Sequence, residues 1–344
     1  MFSLLNHFGL RFGGLSLLYG LLLISSGSVA PVFAAPKQTA KLPRTGTVVA
    51  WGDNSSGQAT VPAGLTGVVA VAAGGDHSLA LESDGMVDVW GDSVYGELLM
   101  PLNLSGVAAI AAGKKHNLAL KSDGTVVAWG RNYYGQATVP AGLSGVTAIA
   151  ACDRVSLALK RDGTVVAWGS NSFSQLTMPA GLSHVTAIAV GMFHCLALKS
   201  DGTVVAWGDT VNALEDNDYG QATVPAGLSG VVAIAAGNKF SLALKKDGTV
   251  VAWGYNGDGE AAVPPGLSHV TAIAAGGSHS LALKSDGTVV GWGDNSYSPV
   301  DHAGGPLPCN RHCRRRRVQL GSSIITGTLI CPLSFWKGLR CFLS

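Results

Sequence analysis

The chain has 344 residues, 47 of them glycine, and its few charged residues nearly balance, giving a formal net charge of +2 at pH 7. This balance argues against the large basic surface that nucleic-acid binding requires, so we expect no nucleic acid among the partners. The six cysteines do not form a disulfide framework.

Residues 1–34 have the pattern of a secretory signal. Arg11 precedes the apolar run 15–24, and small residues ending at Ala34 offer a cleavage site. An apolar core of roughly 10 to 12 residues is short for a bilayer span. We expect cleavage after Ala34, a polar lead-in over residues 35–45, a secreted or cell-surface protein and no stable membrane span after removal of the signal. An uncleaved membrane anchor is the alternative.

Residues 46–297 consist of close copies of one unit. Seven tryptophans mark the copies at spacings of 39, 39, 39, 39, 46 and 39 residues, namely Trp51, Trp90, Trp129, Trp168, Trp207, Trp253 and Trp292. A period of about 40 residues is typical of a repeat array or a propeller.

Each unit has the pattern of strands and none has a helical period. The runs 146–150, 156–159 and 125–129 are apolar, β-branched or alternating, which predicts three strands. Asp-Gly, as at Asp123-Gly124, separates the second and third strands of a unit and predicts a tight hairpin. A fourth short strand is predicted at 136–139. Four antiparallel strands per repeat indicate a blade, and the fold class is therefore an all-β propeller.

The unit VxAIAAGxxHSLALKSDGTVVAWGxNxxGQ resembles the repeat of the regulator-of-chromosome-condensation family over residues 46–297, with the same internal spacing in each copy. The resemblance implies a seven-bladed β-propeller. In sequence, the connecting segments are most similar to those of a secreted bacterial branch of that family, one member of which inhibits β-lactamases. The resemblance does not assign an inhibitory site to this chain. The family name implies guanine-nucleotide exchange on a small GTPase as an alternative function.

The strand order predicts two unlike ends of the propeller. Loops after the first strand and after Trp-Gly share one end, and among the copies this end varies while the Asp-Gly end is nearly constant. Aromatic residues recur on the variable end, as is typical of protein recognition. The candidate partner-binding residues are Tyr95, Tyr133, Tyr134, Phe173, Met192, Phe193, Tyr219 and Tyr255. The alternative is that the aromatics cap the blade ends and touch no partner.

No catalytic residue, metal site or cofactor is predicted, and we expect the protein not to be an enzyme. Four histidines share one repeat position, but Val155 and Phe240 replace them in other copies, so we interpret that position as structural. Neighbours on a strand point to opposite faces, so Asp76-His77-Ser78 forms no catalytic relay. The acidic insertion 209–218 lacks the spacing of a calcium loop and is interpreted as a solvated loop, with calcium as the alternative.

Residues 298–344 do not continue the repeat. Reading the codons of Asp301 to Arg316 in a shifted frame permits Thr-Met-Pro-Ala-Gly-Leu-Ser-His-Val-Thr-Ala-Ile-Ala-Ala-Gly-Gly, which contains the text of residues 266–277. We interpret the segment as a frameshifted tail. Six blades are then complete, and residues 47–61 supply an outer half-blade without its inner strands. We expect impaired closure of the ring and a poorly packed tail.

Overall fold

The computed structural model describes residues 48–50, 52–208 and 219–295, together with the backbone of residues 328–329. Every regular element of these residues is a β-strand, as predicted. The first and last are β1 (Val48–Val49) and β20 (Thr328–Leu329). The signal segment, the lead-in, the acidic insertion and most of the tail lie outside the described residues, so the corresponding predictions stay predictions.

The eighteen strands between them form six antiparallel sheets of three strands each, one sheet per repeat. Blades 1 to 3 are β2 (Val68–Ala73), β3 (His77–Glu82) and β4 (Val87–Gly91); β5 (Val107–Ala112), β6 (His116–Lys121) and β7 (Val126–Gly130); β8 (Val146–Cys152), β9 (Val155–Lys160) and β10 (Val165–Gly169). Blades 4 to 6 are β11 (Val185–Val190), β12 (His194–Lys199) and β13 (Val204–Gly208); β14 (Val231–Ala236), β15 (Phe240–Lys245) and β16 (Val250–Gly254); β17 (Val270–Ala275), β18 (His279–Lys284) and β19 (Val289–Gly293).

The prediction of a fourth strand per blade is wrong. Residues 136–139 form a turn and an irregular segment, and each sheet has three strands. The backbone carbonyl of Gln136 instead accepts hydrogen bonds from the Ser156 hydroxyl at 2.8 Å and from Trp168 Nε1 at 2.9 Å, both in the next blade. The segment therefore links neighbouring blades through a backbone carbonyl instead of forming a fourth strand. The indole N–H is one of the two donors to this carbonyl, which explains why tryptophan recurs.

The core lies between the blades. Ala111 and Leu118 of blade 2 form one buried cluster with Ile149, Ala158 and Trp168 of blade 3, and equivalent clusters follow around the array. Full burial of a leucine or isoleucine contributes about 1.5 to 3 kcal/mol. Since each cluster needs residues from two blades, no blade completes its core alone.

Buried histidines add a polar link between the same neighbours. His116 Nε2 lies 2.9 Å from the Ser156 hydroxyl of blade 3, and His194 Nε2 lies 2.8 Å from the Ser241 hydroxyl of blade 5. Both imidazoles are fully buried. The structural interpretation of this repeat position therefore agrees with the contacts.

Blade 3 replaces this link by an apolar one. A Cβ built on Gly113 would overlap the His116 ring three residues later, so the ring requires glycine there. At the equivalent positions blade 3 has Cys152 and Val155, which share a buried cluster with Cys195 of blade 4. Three replacements thus occur together, because the smaller valine leaves room for the Cys152 side chain and offers no hydrogen bond to position 195.

Val155→His is expected to destabilise the chain by about 2 kcal/mol or more, since the new ring meets the Cys152 side chain and finds no hydroxyl at position 195. The triple variant C152G/V155H/C195S restores the arrangement of the other blades and is expected to return to within about 1 kcal/mol of wild type. Urea unfolding measures both. Equal losses in the single and triple variants would contradict this coupling.

The ends of the array meet at the half-blade. Val48, which is buried, belongs to one cluster with Val71 of blade 1 and Leu281 of blade 6. However, β1 pairs with β20 in parallel over two residues, whereas the third strand of every complete blade pairs antiparallel with its second strand. Among the described residues no inner hairpin completes the half-blade, and the predicted impairment of closure is confirmed.

Candidate functional site

The two ends of the propeller are built as the strand order predicts. Lys115 follows β5, Asp76 follows β2 and Asp92 follows β4, and the lysine Nζ lies 2.9 Å from Asp76 and 2.8 Å from Asp92. Loops after first and third strands therefore share one end, which we call the variable face. The other end, which we call the turn face, carries the Asp-Gly hairpins.

Aromatic residues on the variable face pack against the next blade. Each recurring aromatic residue contacts a residue 20 positions later, in the loop between the first and second strands of the following blade. The pairs are Tyr95 with Lys115 (5.6 Å from Nζ to the ring centroid), Tyr134 with Arg154 (4.7 Å from Cζ), Phe173 with Phe193 (4.6 Å between centroids) and Tyr219 with Lys239 (4.6 Å from Nζ). Cation–π and edge-to-face contacts therefore join neighbouring loops.

Residues just after the Trp-Gly pairs add a second contact to two of these aromatics. The Arg131 guanidinium lies 4.9 Å from the Tyr95 ring centroid and 4.8 Å from that of Tyr133. Tyr255 meets Tyr219 edge to face at 4.7 Å. The face thus carries two clusters of cations and tyrosines, one at blade 2 and one at blade 5.

Most predicted face residues retain accessible surface in these contacts. Tyr133 is 75% exposed, and Tyr95, Tyr134 and Tyr219 are each about two-fifths exposed. Phe173, Met192 and Tyr255 are half-buried. Phe193 is 4% exposed because Phe173 and Lys239 cover its ring, so it supports the face from below and presents little surface.

The cations were not among the predicted site residues. The sequence does indicate them, through a correlation between two positions 20 residues apart. Copies that lack the recurring aromatic residue of the loop after Trp-Gly also have no basic or aromatic residue 20 positions later. Ser56 is followed by Asp76, and Asp258 by Ser278. Comparing the two loops as a pair, rather than one by one, would have shown the correlation.

Two buried glutamates occupy the repeat position that is glutamine elsewhere. Lys115 Nζ lies 3.8 Å from Glu97 Oε1. Glu260 has the acidic residues Asp258 and Asp294 near it, and burial, together with their charges, raises its pKa to about 6. Its Oε2 accepts a hydrogen bond from the Asp258 amide at 2.9 Å, the same contact that Gln136 makes with the Tyr134 amide.

Glu260→Gln is expected to stabilise the chain by about 1 kcal/mol at pH 7 and to have little effect at pH 4. A carboxyl whose pKa is raised on folding contributes stability at low pH and loses it as the pH rises through the folded pKa. The stability that Glu260 contributes is therefore lost between about pH 4.5 and the folded pKa of about 6. Urea unfolding at pH 4 and pH 7 measures it.

The matched control is Glu97→Gln, at the same repeat position but beside Lys115. Its gain at pH 7 is expected to be smaller, because the substitution also removes the attraction to the lysine. An equal or larger gain in the control would contradict the role given to Asp258 and Asp294.

Ion pairs ring the turn face. They join lysine and aspartate two residues apart at 3.0 to 3.4 Å in blades 2 to 6, namely Lys121–Asp123, Lys160–Asp162, Lys199–Asp201, Lys245–Asp247 and Lys284–Asp286. Exposed pairs of this kind contribute little stability. From blade 2 to blade 6 this face is uniform, and it offers a natural control surface.

The described part of the chain contains no group of three or more histidine, cysteine, aspartate or glutamate side chains arranged to hold a metal ion. It also contains no helix long and apolar enough to cross a membrane.

The fold and repeat define a class of protein, the repeat-built β-propellers. The regulator of chromosome condensation (RCC1) repeat matches this chain at residues 68–97, 107–136, 146–175, 185–221, 231–260 and 270–298, more than half of its length. The chain belongs to the RCC1 repeat family. A search of curated proteins gave no match.

Solved structures share the fold at low sequence identity. Yeast RCC1 (Prp20), solved bound to Kap60, is 20% identical with a TM-score of 0.65, over 91% of this chain and 96% of that one. Human WBSCR16 is 18% identical with a TM-score of 0.62, over 86% and 98%. The ectodomain of the Physcomitrella patens receptor kinase CR4 is 21% identical with a TM-score of 0.59, over 76% and 67%. These likenesses show the propeller fold.

Proposed function

We propose that the protein is a secreted, non-enzymatic β-propeller that binds a partner protein through its variable face. The observation that carries the proposal is the pairing of exposed tyrosines with basic residues on that face and on no other described surface of the propeller. Tyrosine and arginine are the residues that most often dominate interface energetics.

Three further observations support it. The first 34 residues have the pattern of a secretory signal. The loops of the variable face differ between blades while the turn face stays constant, as expected for a scaffold that presents one end. The similar structures include yeast Prp20, which has binding properties to Gsp1p and histones, so protein binding occurs on this fold.

Replacing Tyr95, Tyr134, Phe173 and Tyr219 by alanine is expected to weaken partner binding strongly, since one hot-spot aromatic typically contributes about 2 kcal/mol or more. The fold is expected to persist, because the interblade clusters do not include these residues. The immobilised mature chain captures partners from the organism's extracellular and cell-surface fractions, and the variant is compared by titration against the captured protein.

The control replaces Lys121, Lys160, Lys199 and Lys245 on the turn face by alanine and is expected to bind as wild type does. Unchanged binding by the aromatic variant would contradict the proposal. Loss of its β-sheet circular dichroism would show instead that the aromatics are structural caps.

Two narrower functions have direct assays. A β-lactamase inhibitor is expected to block a panel of such enzymes at micromolar concentration, and an exchange factor is expected to accelerate nucleotide release from a small GTPase. Export of the chain disfavours the second, because a small GTPase would be intracellular.

A further inference from the structure

Arg131 is held on the variable face by aromatic contacts and has no acidic partner among the described residues. Its guanidinium lies over the rings of Tyr95 and Tyr133, which meet edge to face at 6.3 Å. Its Nε is buried without a hydrogen bond. The cation is therefore fixed in place but not neutralised.

Neighbouring cations on the face differ in this respect. Lys115 is bound by Asp76 and Asp92, and Arg154 Nε lies 3.1 Å from Asp153. Lys239 resembles Arg131, since it lies over Tyr219 and Tyr255 and forms no ion pair within the described chain. Two clusters thus combine tyrosines with a cation that lacks a carboxylate.

A guanidinium held over aromatic rings is suited to bind a carboxylate. The cation–π contact uses no carboxylate, and the forked N–H groups of a guanidinium match two carboxylate oxygens. Tyr133 and Val94, which are 75% and 72% exposed, add apolar surface in the same loops. The combination fits a carboxylate next to an apolar side chain.

We propose that the cluster of Tyr95, Arg131 and Tyr133 anchors an acidic side chain of the partner protein, flanked by an apolar residue, and that the Lys239 cluster receives a second acidic side chain. This rests on the function proposed above and names the chemistry of the partner. The ligand is an acidic, partly apolar protein segment.

The test uses the full mature chain and a displayed library of random twelve-residue peptides. Binders are selected on wild type and counter-selected on the four-alanine aromatic variant. A selected peptide is then titrated by fluorescence anisotropy, as is its analogue with glutamine or asparagine in place of each acidic residue. We expect the selection to enrich glutamate or aspartate beside a leucine or aromatic residue, and the amide analogue to bind at least tenfold more weakly.

Arg131→Gln is expected to weaken binding of the acidic peptide at least tenfold and to bind the amide analogue no worse than wild type does, so the two losses are not additive. Arg131→Lys keeps the positive charge but lacks the paired N–H donors of the guanidinium, so it is expected to weaken binding of the acidic peptide less than Arg131→Gln does. Arg161→Gln, at an exposed position on the turn face, is the matched control and is expected to have no effect.

Peptides without acidic enrichment, no selected peptides, or equal loss with Arg161→Gln would each overturn the proposal. Thermal melts of the three arginine variants show whether a loss of binding reflects unfolding. If Arg131→Gln does not fold, peptide binding by the Arg131→Lys variant tests the proposal. If the proposal fails while the four-alanine variant still loses its captured partner, the binding face stands and only the acidic chemistry is wrong.

Discussion

Acidification from pH 7 to about pH 4 is expected to unfold the propeller. Burial lowers the pKa of His77 to about 4 and of His116 and His194 to about 3, from an ordinary value of 6.5. A group whose pKa is lowered on folding contributes stability that is full above 6.5 and is lost as the pH falls toward the folded pKa. Near pH 4.5 each of these histidines therefore lowers the free energy of unfolding by about 2 kcal/mol. The three losses together approach the total stability of a typical domain, roughly 5 to 15 kcal/mol.

The double variant H116F/H194F is expected to unfold at a pH lower by about one unit, because phenylalanine has no proton to bind. Phe240 already fills this position in blade 5 and is fully buried, so the blade has room for the ring. At pH 7 the variant is expected to lose about 1 kcal/mol for each missing hydrogen bond. Tryptophan fluorescence followed against pH measures both effects.

The control is His184→Gln, on an exposed loop of the turn face, which is expected to leave the acid midpoint unchanged. The Glu260 effect described above has the opposite sign, but the pKa of that carboxyl moves less on folding than the pKa of any of the three histidines, so the histidines dominate the acid profile. An acid midpoint that did not move in the double variant would contradict the part given to these imidazoles.

Replacing residues 298–344 by one further copy of the repeat, through its HSLAL strand and Asp-Gly turn, is expected to raise the melting temperature by about 10 °C and to suppress aggregation. The copy supplies the inner hairpin that the half-blade lacks, so that β1 pairs antiparallel with a second strand as the third strands of the other blades do, in place of its two-residue parallel pairing with β20. Differential scanning calorimetry and light scattering measure the two effects.

The control tail has the same length and carries serine at the alternating apolar positions, so that it cannot pair and bury. A gain with both tails would show that removal of the native tail, not closure, is responsible. The frameshift is expected at codons 297–299, between the last residue of the repeats and the shifted text that begins at Asp301. Resequencing the gene across these codons tests it, and a clean read of the present frame would show that the tail is genuine.

Local signals were enough to predict the repeat architecture. The spacing of the tryptophans and the Asp-Gly turns predicts the blades and the hairpins because each depends on residues close in sequence. The fourth strand was predicted wrongly because residues 136–139 have β-branched character, yet their backbone bonds run to Ser156 and Trp168 of the next blade. Propensity alone does not reveal a partner in another repeat.

The candidate site was predictable in part for the same reason. Aromatic residues such as Tyr95 and Tyr219 stand out in the loops, and the strand order places them on one end. Arg131 and Lys239 did not stand out, since a single basic residue in a loop is ordinary. Their importance depends on cation–π contacts across a blade boundary, to Tyr95 for Arg131 and to Tyr219 for Lys239, which lie 36 and 20 residues away in sequence.

The central claim is that a partner protein binds the variable face, and hydrogen exchange with and without the captured partner tests it most directly. Binding is expected to slow exchange in the loops that carry Tyr95, Arg131, Tyr134 and Lys239 and to leave the Asp-Gly turns unchanged. Protection of the Asp-Gly turns, with the aromatic loops unaffected, would contradict the account.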